Sequence, residues 1–411
     1  MTKLDLDFVR AQFPAFEAPT TKGQAFFENA GGSYACRQVV DRLHRFYTER
    51  KVQPYAPYAA AQAGGAEMDE ARMRLAALMG VDTDEVSFGP STSTNTYVLA
   101  QAVRQWLTAA GGAVVVTNQD HEANSGVWRR LADAGIEVRE WQIDPETGHL
   151  NPDDLTALLA DGRVRLVCFP HCSNVVAEIN PVAEICAMVR DAGGYTCVDG
   201  VSYAPHGLPD VRGLGADVYL FSAYKTYGPH QGIMTITRAF VAVLPAQGHW
   251  FNAGSLYKKF TPSGPDHAQI AACAGMADYI DALYARHFGA GDATPLMRSG
   301  AVHDLMRAQE IAVTQPLLDY LAARNDVRLI GPRQAADRAP TVAVALHGAA
   351  EPVAERLAAH GVTCWGGDFY AVRPLQAMGV DLDLGVLRLS LVHYTSAEDV
   401  SRLITALDTE L

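Results

Sequence analysis

Lysine is scarce in this 411-residue chain, which has six lysines against 27 arginines. Between Lys51 and Lys258 the only lysine is Lys225. Arginine stays protonated and cannot form an imine, whereas a buried lysine can lose its proton and act as a nucleophile. A chain that uses arginine almost everywhere keeps lysine mainly where arginine cannot replace it. Lys225 is therefore the first candidate for chemistry, and an ordinary ion pair is the alternative.

Long apolar runs and paired cysteines are also missing. No segment is apolar over the roughly 18 residues that a membrane helix needs, and the N-terminus MTKLDLDFVRAQFPAF lacks the apolar stretch of a signal peptide. The seven cysteines are odd in number and form no CxxC pair, which disfavours a disulfide framework and a zinc site. Cysteines in runs such as LVCFP and YTCVDG are typical of buried thiols. We expect a cytoplasmic protein that binds no metal.

The chain has fewer basic than acidic residues, which disfavours some classes of binding partner. Acidic residues outnumber basic ones by 46 to 33, for a net charge of −13, so the mean field repels phosphate backbones and anionic lipids. We therefore expect neither nucleic acid nor a membrane surface as a partner. No GxGxxG motif follows a strand-like run, which argues against a nicotinamide-dependent dehydrogenase. A transcription regulator would need an attached basic DNA-binding module, for which the chain has neither spare length nor positive charge.

The order of apolar runs and helical patterns predicts an α/β fold. From about residue 84 to residue 240, short β-rich runs alternate with amphipathic helices, which is typical of a parallel sheet covered on both faces. The predicted strands are Glu85–Phe88, Ala113–Thr117, Glu137–Ile143, Val164–Phe169, Tyr195–Val198, Val218–Phe221 and Gly232–Thr237. The predicted helices are Thr94–Leu107, Ser125–Ala134, Pro152–Leu159, Val182–Asp191 and one long helix over Ala268–Phe288.

A change of pattern near residue 290 predicts a second domain. The segment GAGDATPLMRSG is rich in glycine and proline, and beyond it helices at 301–324 and 397–411 enclose the strand-like runs TVAVALHG, VTCW and VLRLSLVHY. We expect a large domain over residues 20–290 and a smaller C-terminal α+β domain over residues 291–411, with residues 1–19 packing on the small domain.

The segment from Tyr195 to Gly232 carries the strongest chemical signal. One predicted strand is followed directly by Asp199, and the strand VYLF is followed by Ser222 and Lys225. The carboxyl ends of neighbouring parallel strands share one edge of a sheet, so these side chains can face one pocket. Pyridoxal phosphate needs such a pair, because a lysine forms its Schiff base and an acid keeps its pyridine nitrogen protonated. A structural ion pair between Asp199 and Lys225 is the alternative.

Hydroxyl side chains gather in front of a predicted helix. Ser91, Thr92 and Ser93 precede the helical pattern TNTYVLAQAV. Hydroxyl groups and free backbone N–H groups at the N-terminus of a helix form a phosphate site. A helix cap without a ligand is the other interpretation.

These segments together resemble a known family. VDGVSYAPHG and DVYLFSAYKTYGPHQG resemble the lysine region of aminotransferase class V, specifically its cysteine desulfurase-like branch of fold-type I pyridoxal phosphate enzymes. Further matches follow in the expected order: FENAGGSYA, SFGPSTSTNTYVLA, DHEAN, HCSNVVAEINPV and the C-terminal VLRLSLVHYTSAEDVSRL. The resemblance implies a large domain with a mostly parallel seven-stranded sheet flanked by helices, and a smaller C-terminal α+β domain.

The resemblance also implies roles for single residues at the cofactor. It assigns the catalytic residues Lys225, His121 and Asp199, with the His121 ring stacked on the pyridine ring and shuttling protons. It places the phosphate on Thr92 and Ser93, with a further hydroxyl from Ser222. The remaining cofactor contacts that it implies are Asn174 at the phenolic oxygen, Ser202 nearby, and His267 at the phosphate of a neighbouring subunit. An active site that needs His267 of another subunit implies a homodimer.

On the substrate side, the resemblance implies that Arg388 clamps an α-carboxylate, with Asn29 near it. A bidentate guanidinium suits a planar carboxylate. For each of these residues an ordinary structural role is the alternative: a loop histidine for His121, a turn asparagine for Asn174 and a solvated strand arginine for Arg388.

The chain also departs from the family pattern. Tyr224 stands where a histidine usually precedes the lysine, and Ser202 stands where many members carry glutamine. Cysteine desulfurases place a nucleophilic cysteine on a loop of the small domain, and the matching stretch GGDFYAVRPLQ has none. Cys364 lies just upstream in the strand-like run VTCW, where a buried thiol is the simpler interpretation.

The resemblance implies an enzyme that acts on an amino acid through an external aldimine and a quinonoid, with Lys225 removing the α-proton. Our leading hypothesis is a cysteine desulfurase-like lyase that eliminates a group from Cβ without a persulfide cysteine. Transamination and racemisation or epimerisation are the alternatives within the class. A non-catalytic scaffold with the same fold is the alternative outside it, and a sulfur acceptor is left open.

Overall fold

The computed structural model describes residues 2–289 and 291–411, which form helices and strands in alternation. The helices are α1 Leu6–Ala11, α2 Arg37–Arg45, α3 Ala59–Leu78, α4 Thr92–Ala110, α5 Glu122–Arg129, α6 Pro152–Leu159, α7 Val182–Asp191, α8 Val211–Leu214, α9 Arg238–Val243, α10 His267–Ala272, α11 Ala274–Phe288, α12 Pro295–Ala322, α13 Ala350–Ala359, α14 Val372–Ala377 and α15 Ala397–Glu410. The strands are β1 Ala25–Phe26, β2 Val86–Gly89, β3 Ala113–Thr117, β4 Glu137–Trp141, β5 Val164–Pro170, β6 Tyr195–Asp199, β7 Val218–Ser222, β8 Gly232–Ile236, β9 Val327–Ile330, β10 Thr341–Leu346, β11 Val362–Thr363, β12 Trp365–Gly367 and β13 Val386–Ser390.

A seven-stranded sheet forms the centre of the large domain, with the strand order β2-β8-β7-β6-β5-β3-β4. Strand β8 runs antiparallel to both of its neighbours, and the pairs from β7 through to β4 are parallel. Strands β3 and β7 are buried along their whole length, because helices cover both faces of the sheet. Continuous runs of apolar residues such as AVVVT are typical of such strands. The predicted mostly parallel seven-stranded sheet is therefore confirmed.

The C-terminal part builds a second, antiparallel sheet with the strand order β12-β13-β10-β9. Its apolar core includes Val342, Val344, Leu387 and Leu389, and helices α12, α13 and α15 add buried leucines to it. The N-terminal segment joins this region, because β1 pairs in parallel with β11 and the Ser390 N–H donates to the Phe27 carbonyl at 2.7 Å. Residues 25–28 therefore lie against strands that follow them by more than 330 positions in the sequence.

Two predicted helices differ from those observed. The helix expected over Ala268–Phe288 is interrupted at Cys273, and α10 and α11 lie on either side of it. The helix expected from Ser125 starts at Glu122 instead, because the His121 ring accepts the Ala123 N–H and caps the helix. Its last five residues, 130–134, form a 3₁₀ helix.

The N-terminal residues contact both parts of the chain. Asp5 forms an ion pair with Arg286 of α11, and the Phe13 ring packs edge-on against Tyr279 and Tyr394. Tyr394 follows β13, so the segment before residue 20 touches the large and the small sheet regions alike. The domain boundaries stay a prediction. No helix of residues 2–289 and 291–411 is both long and apolar enough to cross a membrane.

Candidate active site

The candidate site lies at the carboxyl edge of the large sheet. Asp120 and His121 follow β3, Asn174 follows β5, Asp199 ends β6, and Lys225 follows β7. These four strands are neighbours in the sheet and run parallel, so their carboxyl ends meet. The strand order also reverses at this point of the sheet. Strand β4 lies on one side of β3, and the next strand in the chain, β5, lies on the other side. Ligands of open α/β sheets bind at such a point.

A cleft of about 930 Å³ opens at this edge. The predicted site residues that line it are Thr92, Ser93, His121, Asn174, Asp199, Ser202, Ser222, Lys225 and Arg388. The small domain closes its other side with β12 and the residues after it, including Trp365, Phe369 and Tyr370. A space of this size holds a cofactor and a small substrate together.

Lys225 sits in a single 3₁₀ turn directly after β7. Burial lowers the pKa of its ammonium group to about 8, and the charge of Arg388 acts in the same direction while Asp199 opposes it. With such a pKa, roughly one tenth of the molecules carry the neutral amine at pH 7 and about half at pH 8. Lys225 is therefore suited to act as a nucleophile and a base.

Asp199 is held at the end of β6 by the Val201 N–H, which donates to its Oδ1 at 2.8 Å. Burial raises the pKa of this carboxyl group, and the nearby Lys225 charge works against that rise. A second buried carboxyl group, Asp120, lies in the same cleft and accepts hydrogen bonds from the His121 N–H and the Asn124 amide. Burial and the proximity of Asp199 raise the pKa of Asp120. Both carboxyl groups at the floor of the cleft therefore bind a proton more readily than exposed carboxyl groups do.

The N-terminus of α4 forms a hydroxyl-lined cradle. Ser91 caps the helix by accepting the Thr94 N–H at 3.1 Å, and the Thr92 and Ser222 hydroxyl groups are hydrogen-bonded at 2.7 Å. The first N–H groups of a helix have no partner within the helix. Gly232 of β8 lets the sheet approach the cradle closely, since a Cβ atom there would lie 2.6 Å from the Thr92 nitrogen. Together these groups fit a phosphate.

His121 is fixed in one tautomer. Its Nδ1 accepts the Ala123 N–H at 3.1 Å, so the ring proton is carried by Nε2. Burial and the charges of Lys225 and Arg388 lower the pKa of this ring to about 3. His121 is therefore a neutral imidazole over the whole physiological pH range.

Asn174 connects the large domain to the loop of the small domain. Its Nδ2 donates to the Phe369 carbonyl at 2.9 Å, and a second hydrogen on that nitrogen remains for a ligand oxygen. The Asn174 Oδ1 is buried without a hydrogen-bond partner. Phe369 and Tyr370 both have positive φ, 54° and 55°, a conformation that costs energy in residues with a side chain. This strained dipeptide lies directly above the cleft.

Arg388 lies on β13 and is buried. Its Nη2 donates to the Oε1 of Glu28 at 2.8 Å, and the Phe369 ring centre lies 3.8 Å from the guanidinium carbon. Burial lowers the pKa of Arg388, while the attraction of Glu28 acts against that shift. The side chain is thus a buried cation at the cleft wall, in the position expected for a carboxylate receptor.

Two predicted site residues do not line the cleft. The Asn29 amide donates to the Ser390 carbonyl at 2.8 Å, its oxygen accepts the Tyr394 hydroxyl, and it ties the N-terminal segment to β13. His267 starts α10 and lines a separate cavity of about 240 Å³ together with His249 and Tyr257. Its predicted contact to a neighbouring subunit stays a prediction.

The cleft also contains residues that were not predicted, among them Glu28, Asp120 and Phe369. They stand inside the quoted segments FENAGGSYA, DHEAN and GGDFYAVRPLQ. Asp120 comes three residues after the buried strand β3, a placement similar to that of Asp199 at the end of β6. For Glu28 and Phe369 the sequence carries no comparable signal, because only the docking of the small domain brings them to Arg388.

Neither thiol near the cleft has the environment of a reactive cysteine. Cys172 lines the cleft but is buried, and its Sγ donates to the Ala177 carbonyl at 3.3 Å. Burial raises the pKa of both the Cys172 and the Cys364 thiols to about 12. The nucleophile of cysteine chemistry is the thiolate, which these surroundings disfavour.

Comparison with known proteins agrees with this geometry. The family model "Aminotransferase class-V" matches residues 25–403. The chain belongs to this family. It is 32% identical over 423 residues to the "Aminotransferase-like protein FGM3" of Gibberella zeae, which covers 100% of this chain and 99% of that protein. It is 28% identical over 420 residues to a cysteine desulfurase of Yersinia pseudotuberculosis, covering 98% of this chain and 97% of that one.

Solved structures of cysteine desulfurases share the fold of this class V protein. The enzyme CsdA from Escherichia coli superposes with a TM-score of 0.82 at 22% identity, covering 99% of this chain and 98% of that chain. The enzyme from Thermococcus onnurineus gives a TM-score of 0.83 at 21% identity, covering 100% and 98%. The fold class is therefore confirmed, and the family match together with the cysteine desulfurase relatives supports the predicted cysteine desulfurase-like branch.

The protein is a pyridoxal phosphate-dependent enzyme of class V. Its cleft fits the cofactor, because a hydroxyl and N–H cradle, a buried lysine and a buried carboxyl group line one space. The Asn174 side chain, which has one unpartnered buried oxygen and one spare hydrogen, adds a further polar contact.

Proposed function

We propose that this protein is a lyase that removes a leaving group from Cβ of a cysteine-like amino acid without a persulfide intermediate. The observation that carries the proposal is the cleft itself. It holds the lysine, the acid and the phosphate cradle, while the loop above it carries Phe369 and Tyr370 and no cysteine.

The residues of the cleft divide the work as follows. Thr92, Ser93, Ser222 and the start of α4 hold the phosphate, and Asp199 holds a proton on the pyridine nitrogen. Bound pyridoxal phosphate supplies an electron sink for the bonds of the substrate α-carbon.

Arg388 binds the substrate carboxylate, which directs the α-hydrogen toward Lys225. The neutral Lys225 amine takes the α-proton, a role for which its lowered pKa is suited. The leaving group on Cβ departs with the electron pair of its bond. The Nε2–H of His121 lies in the same cleft and donates a hydrogen bond to it.

The sulfur atom of a cysteine substrate needs no protein thiol in this scheme. Cys172 is hydrogen-bonded within its own turn, and Cys364 packs against the core of the small domain. Both thiols stay protonated, since burial raises the pKa of each to about 12. Direct elimination therefore suits this cleft better than attack by a cysteine.

Transamination is the second candidate. It is supported by the relative from Gibberella zeae, whose name describes it as aminotransferase-like. In this case Lys225 would pass the proton that it removes to the bound cofactor, and the substituent on Cβ would stay on the substrate. The same residues bind cofactor and substrate in both reactions.

A product-resolved screen of amino acids on the holoenzyme separates the two. Elimination from L-cysteine consumes one water and yields sulfide, pyruvate and ammonia, whereas transamination converts the bound cofactor to pyridoxamine phosphate. Alanine together with thiol-dependent sulfide release would instead indicate a persulfide on Cys364 and would contradict the proposal.

We also propose a homodimer with His267 near the partner's cofactor. Support comes from the surface beside the second cavity, where Trp250 and Phe251 are 88% and 67% exposed. Large apolar side chains exposed this far are typical of a protein contact. His249 and Asn252 of the same segment line the cavity together with His267.

A further inference from the structure

The arginine proposed to receive the substrate carboxylate already has a carboxylate partner. Nη2 of Arg388 donates to Oε1 of Glu28 at 2.8 Å, and both residues line the cleft. An ionised glutamate has the same planar group as the α-carboxylate of an amino acid. Glu28 therefore occupies part of the position that the substrate needs.

The ion pair is only half formed. A guanidinium and a carboxylate can make two parallel hydrogen bonds, and such bidentate pairs are the strong ones. Here Nε of Arg388 and Oε2 of Glu28 are both buried and both lack a hydrogen-bond partner. Glu28 thus holds Arg388 by one hydrogen bond and leaves donor capacity unused.

The backbone tethers Glu28 beside Arg388. Glu28 pairs with Ser390 in an isolated parallel bridge, and Ser390 is two residues from Arg388 on β13. Its side chain also depends on Gly31, because a Cβ atom at that position would collide with Oε1 of Glu28. The carboxylate cannot diffuse away, so it competes with a substrate carboxylate at high effective concentration.

The other carboxylates of the cleft are engaged elsewhere. Asp120 accepts from the His121 N–H and the Asn124 amide, and Glu122 forms an ion pair with Arg373. Asp199 accepts from the Val201 N–H, and Asp368, which also lines the cleft, accepts from the Tyr370 N–H. Among the residues that the structure describes, Glu28 is the carboxylate paired with Arg388.

We propose that Glu28 is a specificity-determining residue that competes with the substrate carboxylate for Arg388. This inference rests on the proposed role of Arg388. It implies that a substrate loses little binding free energy when its carboxyl group is blocked as an amide or ester. A free amino acid must displace or share Glu28, whereas an uncharged carboxyl derivative leaves the ion pair intact.

The test compares the dissociation constant of each ligand between the wild-type protein and the variants. Holoenzyme is titrated with L-alanine and, separately, with L-alaninamide, and each dissociation constant is read from the absorbance of the bound cofactor. We expect Glu28→Gln to bind L-alanine about tenfold more tightly than the wild type, with L-alaninamide unchanged within about twofold. Gly31→Ala, which displaces the Glu28 carboxylate without removing it, should shift L-alanine binding in the same direction.

A second measurement needs no cofactor. Calorimetric titration of the apoenzyme with propionate and with propionamide should show the same selective gain for the carboxylate in Glu28→Gln. Weaker L-alanine binding in this variant would show that Glu28 only positions Arg388, and an equal change for both ligands would show a general charge effect. Either result overturns the proposal.

The control variant is Arg388→Gln. Selective loss of L-alanine affinity in this variant is expected if Arg388 receives the carboxylate. If Arg388→Gln binds L-alanine as tightly as the wild type, the proposed function of Arg388 is wrong, independently of Glu28.

Discussion

At the scale of single residues, burial is the main cause of the pKa shifts of the three proposed catalytic residues. It lowers the pKa values of Lys225 and His121 and raises that of Asp199. An amine that is about half neutral at pH 8 can act as a base, and a carboxylate with a raised proton affinity can hold a proton on a bound pyridine nitrogen.

The first prediction concerns capture of the cofactor by Lys225. Only the neutral amine is nucleophilic, so the association rate of apoenzyme with pyridoxal phosphate should rise about tenfold per pH unit below pH 8 and level off above it. Stopped-flow absorbance measures this rate. Since Arg388 lowers the pKa of Lys225, Arg388→Gln should move the midpoint to higher pH, and an unchanged midpoint would contradict this electrostatic account.

The same lysine links pH to the stability of the apoenzyme. Its pKa is lower in the folded chain, about 8 against 10.5, so the unfolded chain binds more protons between these values. This group therefore destabilises the fold fully below pH 8, and its cost declines as pH rises toward 10.5. Urea unfolding of wild-type apoenzyme and Lys225→Met should show that the advantage of the methionine variant shrinks over this range.

A second prediction concerns Asp199. Replacing it with asparagine removes the negative charge that holds a proton on the pyridine nitrogen. We expect turnover to fall by about 10²-fold or more with cofactor still bound, since lost preorganised charges at reacting centres cost this much. Asp120→Asn is the matched control, and it should retain more activity because its carboxylate is bound to His121 and Asn124.

At the scale of elements, the start of α4 has two functions, and two neighbouring residues carry one each. Ser91 caps the helix through the Thr94 N–H, whereas the Thr92 hydroxyl faces Ser222 across the cradle. The Ser91 hydroxyl therefore stabilises the helix, whereas the Thr92 hydroxyl belongs to the proposed ligand site.

The third prediction uses this pair. Ser91→Ala should lower the free energy of unfolding by about 1 kcal/mol in the apoenzyme and the holoenzyme alike. Thr92→Val, which removes the hydrogen bond to Ser222, should destabilise the apoenzyme by about 1 kcal/mol and in addition weaken cofactor binding about tenfold. Thermal unfolding with and without pyridoxal phosphate distinguishes them, and equal effects of both variants on cofactor affinity would contradict the assignment.

The sequence was informative about elements whose apolar pattern is continuous. Strand β3 and helices α6 and α7 have the predicted bounds, and the lysine turn follows its strand as expected. The break at Cys273 was missed because both halves are helical in pattern. The strained backbone of Phe369 and Tyr370 was missed as well, because contacts with Asn174 and Arg388 hold it and local sequence does not.

At the scale of the whole molecule, the two halves of the cleft have different origins in the chain. Apart from His267, the groups proposed for the cofactor lie between Thr92 and Lys225, at the start of α4 or at the carboxyl edge of the large sheet. The groups around Arg388 come from residues 28, 369 and 388, which only the docking of the small sheet brings together. Sequence motifs predicted that residues of the first half lie at one edge of the sheet, since most of them follow a strand, and predicted Arg388 but not Glu28 or Phe369 in the second half.

The fourth prediction concerns assembly. We expect the holoenzyme to have twice the chain mass by light scattering, with Trp250 and Phe251 in the contact. Trp250→Glu should produce monomers with weaker cofactor binding, whereas Trp365→Glu, which also changes an exposed tryptophan, should remain dimeric. A wild-type monomer with full cofactor affinity would contradict the homodimer and the predicted role of His267.

The pairing of residues near position 28 with strand β13 has a consequence for biosynthesis. A ribosome has already made every group of the cofactor half when residue 225 leaves the exit tunnel, but the carboxylate receptor appears only some 160 residues later, with Arg388. The large sheet itself is complete only after β8, because that strand lies between β2 and β7. The half of the cleft around Arg388 must form later still, when β13 has been made and can pair with the residues near position 28.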